Sequence, residues 1–181
     1  ENLVVERWNT ANRINDDYRS AVNTVLRNPE FPYGVDIGFG DIEFANSDAL
    51  VDEATPDYAV NTENLELDML YDINDFGRKA GHLTVYVFDE IVSDENLAKV
   101  LLEIKNLMDE ANVSFFIIDC VLEYPKPEDM SQWNDDRVEV MGMLNDEIYE
   151  DGLEQRVKES DEKAKAYYKA QDELKLGEEI L

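Results

Sequence analysis

The segment from residue 82 to residue 122 constrains the fold most, because it contains the patterns of a strand, a helix and a second strand in direct succession. Apolar and other side chains alternate from Leu83 to Phe88, which predicts a strand with two distinct faces. Ser93 can cap a helix N-terminus, and Asp94 suits the positive first turn that follows. The apolar side chains that come next are spaced as one face of an amphipathic helix: Leu97, Val100, Leu101, Ile104, Leu107 and Met108.

The third part of this segment, residues 113–122, is apolar on both faces, as a central strand is. A strand, a helix and a strand in succession form a βαβ crossover, which makes its two strands parallel and is almost always right-handed. The sequence therefore predicts two neighbouring central strands with the helix packed across them.

A long helix is predicted at the N-terminus. Apolar and small side chains follow alternating steps of four and three residues from Val4 to Val25, which is the 3.5-residue period of a helical seam, with Asn15 in its middle. The helix should end before Pro29, because the residue before a proline is pushed out of the helical region.

A second long helical region is predicted from about Asp146, with Gly152 as a point where it divides in two. Its seam runs over residues 153–174 with the same alternating steps, and Ser160 and Ala164 lie midway. The two terminal helices could therefore pair with each other, or each could pack separately on the sheet.

Several further strands are predicted from alternating side chains. Residues 35–44 predict a half-buried strand with a glycine bulge, and residues 58–60 and 65–71 predict two short ones. Residues 46–56 are small and polar, which indicates a loop. Residues 137–140 suit either an edge strand or the start of a helix.

The predicted fold is a single α+β domain over residues 1–181, since no internal repeat or low-complexity linker divides the chain. It has a mostly antiparallel sheet with one βαβ crossover and long N- and C-terminal helices. A ferredoxin-like core is one topology compatible with this order of elements.

The chain is strongly acidic: 43 Asp and Glu against 16 Lys and Arg give a net charge of −27. Charge of this size keeps a protein soluble and repels nucleic acids and anionic lipids, so no direct nucleic-acid partner is expected. Basic proteins and metal cations remain as charged partners, and the alternative is that the charge serves solubility alone. No apolar run approaches the roughly 18 residues that span a bilayer.

His82 and Cys120 are the only histidine and cysteine, so a Cys–His pair would have to use both. Cys120 lies in an apolar strand, which raises the pKa of a thiol, and it is predicted to be a buried packing residue. Asp119 stands in the same strand, where a charge needs a partner; an exposed strand end or an arginine is expected to meet it.

No cofactor or metal site is predicted. Gly38 and Gly40 lack the third glycine and the lysine of nucleotide-binding loops. Residues 72–77 begin like a calcium-binding EF-hand loop, but Phe76 stands at the fifth position and Leu83 at the twelfth, where oxygen ligands belong. A tight turn between two strands is predicted there instead, and a zinc site is not expected with one histidine and one cysteine.

Residues 28–77 contain 13 acids and no Lys or Arg, interleaved with aromatic residues. Acids and aromatics without bases suit a docking surface for a basic protein, although a solvated acidic face is the alternative. The predicted partner-binding residues are Asp36, Asp41, Glu43, Asp48, Asp52, Glu53 and Tyr58.

Three classes of function stay open. The first is a non-enzymatic protein that docks a basic partner, as immunity proteins and inhibitors of nucleases do. The second is an extracytoplasmic or cell-surface domain that binds divalent cations or polymers, and the third is an enzyme that uses carboxylates alone. The missing catalytic motifs weigh against the third class, and the first is preferred although the sequence contains little that separates it from the second. A cytoplasmic location is expected, since no signal-peptide pattern opens the sequence, and an exported form stays open; no oligomeric state is predicted.

Overall fold

The computed structural model describes residues 2–46 and 55–178. Its helices are α1 (Asn2–Leu26), α2 (Ile73–Ala80), α3 (Asp94–Glu110) and α4 (Leu153–Glu178). Its strands are β1 (Gly34–Ile42), β2 (Phe44–Ala45), β3 (Val60–Asn61), β4 (Gly81–Phe88), β5 (Ile117–Glu123) and β6 (Arg137–Leu144). The α+β class and the long terminal helices are confirmed.

The main sheet has the strand order β1-β4-β5-β6. β4 and β5 are parallel and joined through α3, while the two outer pairs are antiparallel. The mostly antiparallel sheet with one βαβ crossover is therefore confirmed. A ferredoxin-like core is not the arrangement found, because there another strand separates the strands of each βαβ unit, whereas β4 and β5 are direct neighbours.

The core lies between one face of this sheet and the helices α1, α3 and α4. Leu83, Val85 and Val87 of β4 are completely buried, and they oppose Ile118, Cys120 and Leu122 of β5 in register. The α3 stripe packs on them, with its capping residue as predicted: the Asn96 N–H donates to Ser93 Oγ at 3.1 Å. The residues of α3 that are fully buried here are Leu97, Val100, Leu101, Ile104 and Met108.

Helix α1 contacts α3 and the edge strand β1. The Asn15 side chain reaches the free edge of that strand: its Nδ2 donates to the Ile42 carbonyl at 3.1 Å, and its Oδ1 accepts from the Ile42 N–H at 2.7 Å. Asn15 is a polar residue within the apolar stripe of α1, and its side chain provides hydrogen-bond partners for both the N–H and the carbonyl of Ile42.

Helix α4 contacts the other side of α3 and the other edge strand, β6. Asp161 Oδ1 accepts from the Glu139 N–H at 3.1 Å, and Ser160 Oγ accepts from the Met141 N–H at 3.2 Å. Each terminal helix therefore packs on the sheet and covers one of its edges, where unpaired backbone groups invite pairing with other chains. Of the two arrangements that the sequence left open, the terminal helices therefore pack separately on the sheet and do not form a pair.

Three local predictions differ from the structure. Residues 65–71 form no strand, and Leu70 is 99% exposed, because alternation produces a strand only where a neighbouring strand accepts its hydrogen bonds. The short strand near residues 58–60 is Val60–Asn61, paired in parallel with Phe44–Ala45. Residues 72–77 are not a turn between strands: Asp72 is the N-cap of α2 and accepts from the Asn74 N–H, and residues 73–77 are helical.

Other local predictions hold. The β1 register shifts between Ile37 and Phe39, which is the predicted bulge at Gly38. Residues 137–140 belong to an edge strand, β6, rather than to a helix. Most of the predicted loop at residues 46–56 lies outside the described part of the chain.

Candidate functional site

The helices α1, α3 and α4 pack on one face of the sheet. On the opposite face, the side chains of β1 and β4 are half-buried or exposed, whereas Val121 of β5 and Glu139 of β6 are buried. We call this second surface the open face. It consists of Phe39, His82, Thr84, Tyr86, Phe88 and Asp119. Tyr86 is 37% exposed in the middle of β4, so an aromatic ring stands at the centre of this surface.

His82 lies between two carboxylates at one end of the open face. Its Nε2 is 2.9 Å from Asp119 Oδ2, and its Nδ1 is 3.1 Å from Glu43 Oε1. The hydrogen bonds to Asp119 and Glu43 raise the pKa of His82 to about 9, although partial burial opposes the charge. The imidazole is therefore protonated at neutral pH and donates from both nitrogens, so it has no lone pair for a proton or a metal.

Asp119 is held by both of its oxygens. Oδ2 accepts from His82 and from the Thr84 hydroxyl at 3.5 Å, and Oδ1 accepts from the Gly142 N–H at 2.7 Å. Burial alone would raise the pKa of Asp119, but the His82 and Gly142 hydrogen bonds lower it overall. The expected partner for this strand carboxylate was an arginine or solvent, and the structure provides His82 instead.

Gly142 can serve Asp119 because of its backbone. The β5–β6 register shifts between Ile118 and Cys120, and Gly142 has φ +66° in this irregularity. A glycine adopts such a conformation without steric cost. The N–H that would otherwise point along the ladder is thereby directed at the carboxylate.

Two aromatic side chains enclose the cluster. The Tyr58 hydroxyl lies 3.4 Å from His82 Nδ1, and the Phe39 ring centroid lies 5.4 Å from that of His82 in an edge-on arrangement. Burial, followed by the nearby charges of Glu43 and Asp119, raises the pKa of Tyr58 to about 12, so this phenol stays neutral. Among the predicted partner-binding residues, Glu43 and Tyr58 thus meet at one site.

The other predicted partner-binding residues are distributed differently. Asp41 receives a bidentate pair of hydrogen bonds from Arg19, both 2.9 Å, while Asp36 is 68% exposed and 3.9 Å from Arg27. Asp48, Asp52 and Glu53 lie outside the described residues. Cations from outside the base-free segment therefore lie near all three of the predicted acids that the structure describes, Asp36, Asp41 and Glu43. Asp36 is the most exposed of these three.

The structure gives little support for a Cys120–His82 catalytic pair or for calcium binding at residues 72–77. Cys120 is completely buried on the core face, whereas His82 is on the open face, and burial raises the thiol pKa to about 12. Residues 73–77 are helical, so they do not form a calcium loop. In the described parts of the chain, no group of three His, Cys, Asp or Glu side chains is arranged to hold a metal ion, and no helix there is long and apolar enough to cross a membrane.

Sequence reasoning selected Glu43 and Tyr58 through the base-free segment, which also contains Phe39, but did not select Tyr86 or the His82–Asp119 pair. The alternation of side chains along β4 was the pattern that could have indicated these residues, because the even-numbered residues of β4 face away from the core. The register with β5 then places Thr84 opposite Asp119. Strand pairing had to be known before this signal could be used.

The sequence model of the YfjL-like C-terminal domain family matches residues 17–158, and the chain belongs to that family. The matched range begins within α1 and ends within α4, so it contains the whole sheet and the cluster around His82. No curated protein and no solved structure matches the chain.

Proposed function

We propose that this member of the YfjL-like C-terminal domain family is a non-enzymatic binding protein that docks a basic protein on the open face of its sheet. The observation that supports this most is the open face itself, where aromatic side chains and carboxylates occur together and the Tyr86 ring is exposed. Aromatic residues at the centre of a patch with charged groups around them are typical of protein interfaces.

The aromatic part of the surface supplies short-range contact. Tyr86 is exposed, and Phe39 and Phe88 are half-buried beside it, so their rings are already held by the sheet. Rigid aromatic side chains lose little conformational entropy on binding, which makes them effective anchors.

The charge on the molecule supplies long-range attraction. The net charge is −27, and the Glu43–His82–Asp119 cluster contributes two carboxylates against one imidazolium. A negative field speeds encounter with a basic protein, and salt weakens it over a screening length of about 8 Å at physiological ionic strength. Asp36 can act in this way, because it is exposed on the edge strand and lies opposite Tyr86 in register.

The function is tested with the partner recovered from the native organism by using the wild-type chain as bait. We expect Tyr86→Ala to weaken the measured affinity at least about tenfold, because the central aromatic contact is lost. The matched control is Tyr149→Ala, since Tyr149 is 50% exposed and stacks on Arg156 away from the open face.

The electrostatic contribution to binding is tested by measuring association and dissociation rates at several salt concentrations. The association rate should fall steeply as salt rises, and Asp36→Asn should lower that rate at low salt more than it changes the dissociation rate. Equal affinities for the wild type, Tyr86→Ala and Tyr149→Ala, together with rates independent of salt, would show that the open face is not the docking surface.

A further inference from the structure

A concavity of about 500 Å³ lies outside the open face, at the end of the sheet where β5 begins and β6 ends. Its walls come from four places in the chain: Arg78 on α2, Lys105 on α3, Phe115 and Phe116 before β5, and Asn145 after β6. This volume is in the range that small-molecule sites occupy. Because helices and strand ends build it, the shape is formed before any ligand arrives.

Two cations meet in this concavity although the chain has few. Lys105 Nζ donates to the carbonyls of Asn145 at 2.7 Å and Ile148 at 2.9 Å, which fixes the ammonium group and leaves its third N–H for another acceptor. Arg78 has neither a salt bridge nor a side-chain hydrogen bond to any residue that the structure describes. Its neighbour Lys79, in contrast, is paired with Asp75 at 2.7 Å.

A third donor without an acceptor adjoins the same concavity. The Nδ2 atom of Asn145 is buried and has no hydrogen-bond partner within residues 2–46 and 55–178. Buried polar groups are rarely left unpaired in folded proteins. Arg78, the third N–H of Lys105 and the Asn145 Nδ2 group thus have no acceptor among the described residues, although the carboxylates of Asp109 and Asp146 border the same concavity.

The remaining walls limit which anion fits. Phe115 is buried and Phe116 half-buried, so one side is apolar and suited to a flat hydrocarbon body. Asp109 and Asp146 also border the concavity and are exposed, which disfavours ligands with two or more negative charges. The net charge of −27 opposes anions at long range, but contacts near 3 Å are decided by the donors at hand, since exposed distant charges are screened by salt.

We propose that this concavity binds a small singly charged organic anion with a flat apolar body, of the chemical class of aromatic carboxylates. Arg78 and Lys105 bind the carboxylate by charge-assisted hydrogen bonds, and the ring lies against Phe116. This site is separate from the open face, so it neither requires nor excludes the docking of a basic protein.

The test titrates the full chain with benzoate, benzamide and inorganic phosphate, and follows backbone amide NMR shifts. Benzoate is expected to saturate in the millimolar range or below, with shifts confined to the end of α2, the segment before β5 and the end of β6. Benzamide has the same shape without the charge, and phosphate has charge without the ring; both should bind at least about tenfold more weakly.

Two variants identify the cation responsible. Arg78→Gln should weaken benzoate at least about tenfold, whereas Lys79→Gln, the adjacent cation that is already paired, should leave its affinity unchanged. Circular dichroism checks that both variants are folded. Benzamide binding as tightly as benzoate, equal effects of the two substitutions, or no saturation with benzoate would each overturn the proposal.

Discussion

His82 carries a positive charge between Glu43 and Asp119, and this charge couples the stability of the fold to pH. Its pKa is about 9 in the folded chain and about 6.5 when unfolded, so the folded state holds the proton more tightly. The stabilisation is fully present below pH 6.5 and is lost as the pH rises through 9. A shift of this size corresponds to about 3 kcal/mol at most, and since 22% of the side chain is exposed we expect about 2 kcal/mol.

Urea denaturation of the wild type and of His82→Gln from pH 6 to pH 9.5 measures this contribution. We expect the wild type to be more stable at pH 6 and the difference between the two proteins to shrink towards pH 9.5. The difference removes the effect of titrating groups that do not contact His82. Two stability curves that run parallel over this range would contradict the assigned ion pairs.

Gly77 allows α2 to approach the segment before β5. A Cβ atom at this position would collide with the Ser114 carbonyl oxygen and would lie 2.9 Å from the Tyr18 ring. The Ser114 backbone is fixed there, because its N–H donates to Asn74 Oδ1 at 2.8 Å and its carbonyl accepts from the Tyr18 hydroxyl at 2.9 Å. The close contact is therefore difficult to relieve.

Gly77→Ala separates helix propensity from packing. Propensity alone predicts about 1 kcal/mol of stabilisation, whereas forcing a methyl group into a filled space costs about 1–3 kcal/mol or more. We expect a net loss of about 2 kcal/mol, measured by urea denaturation. Arg78→Ala, on the exposed side of the same helix, should change stability by less than about 0.5 kcal/mol; a variant at Gly77 as stable as the wild type would show that the segments are farther apart.

At the scale of elements, the terminal helices protect the two edges of the sheet. Asn15 of α1 bonds both backbone groups of Ile42 in β1, and Ser160 and Asp161 of α4 accept from two N–H groups of β6. Long amphipathic helices need only an apolar stripe to pack on a sheet. The hydrogen bonds of the polar side chains within these stripes fix where along the strand edge each helix lies.

Asn15→Ala should destabilise the protein, because it leaves two partly buried backbone groups of Ile42 without partners. The expected cost is about 1–3 kcal/mol, larger than the small gain in helix propensity from alanine. Asn12→Ala is the matched control, since Asn12 is exposed on the same helix and should give no loss. Thermal unfolding of both variants gives the comparison, and equal midpoints would mean that the Asn15 hydrogen bonds do not stabilise the edge.

At the scale of the whole molecule, the net charge of −27 works against compactness. Like charges repel one another more strongly in the folded chain than in the expanded unfolded chain, and salt screens this repulsion. We expect the midpoint of thermal unfolding to rise by several degrees between low and physiological ionic strength.

Sodium chloride and choline chloride should raise this midpoint equally, because screening depends on ionic strength and not on the identity of the cation. A much larger rise with sodium would instead indicate a specific cation site. A midpoint that does not change with either salt would mean that ion pairs such as Arg19–Asp41 already balance the repulsion in the folded state.

The parts of the fold that depend on local spacing could be predicted from the residues alone. Alternation from Leu83 to Phe88, the cap at Ser93 and the stripe over α3 predicted the βαβ crossover with nearly the observed bounds, because periodicity and capping act over one or two turns or pleats. The terminal helices were predicted for the same reason. Alternation at residues 65–71 predicted a strand that does not form, since a strand also needs a neighbour.

The contacts between residues far apart in the chain could not be predicted before the fold was known. His82 is 39 residues from Glu43 and 37 from Asp119, and Asn15 is 27 from Ile42, so no local pattern could indicate these pairs. They arise because the sheet order places β4 between β1 and β5 and because α1 lies on the edge of β1. Strand order and helix placement depend on burying the apolar faces of all elements at the same time. The pattern of one segment carries no information about this joint packing.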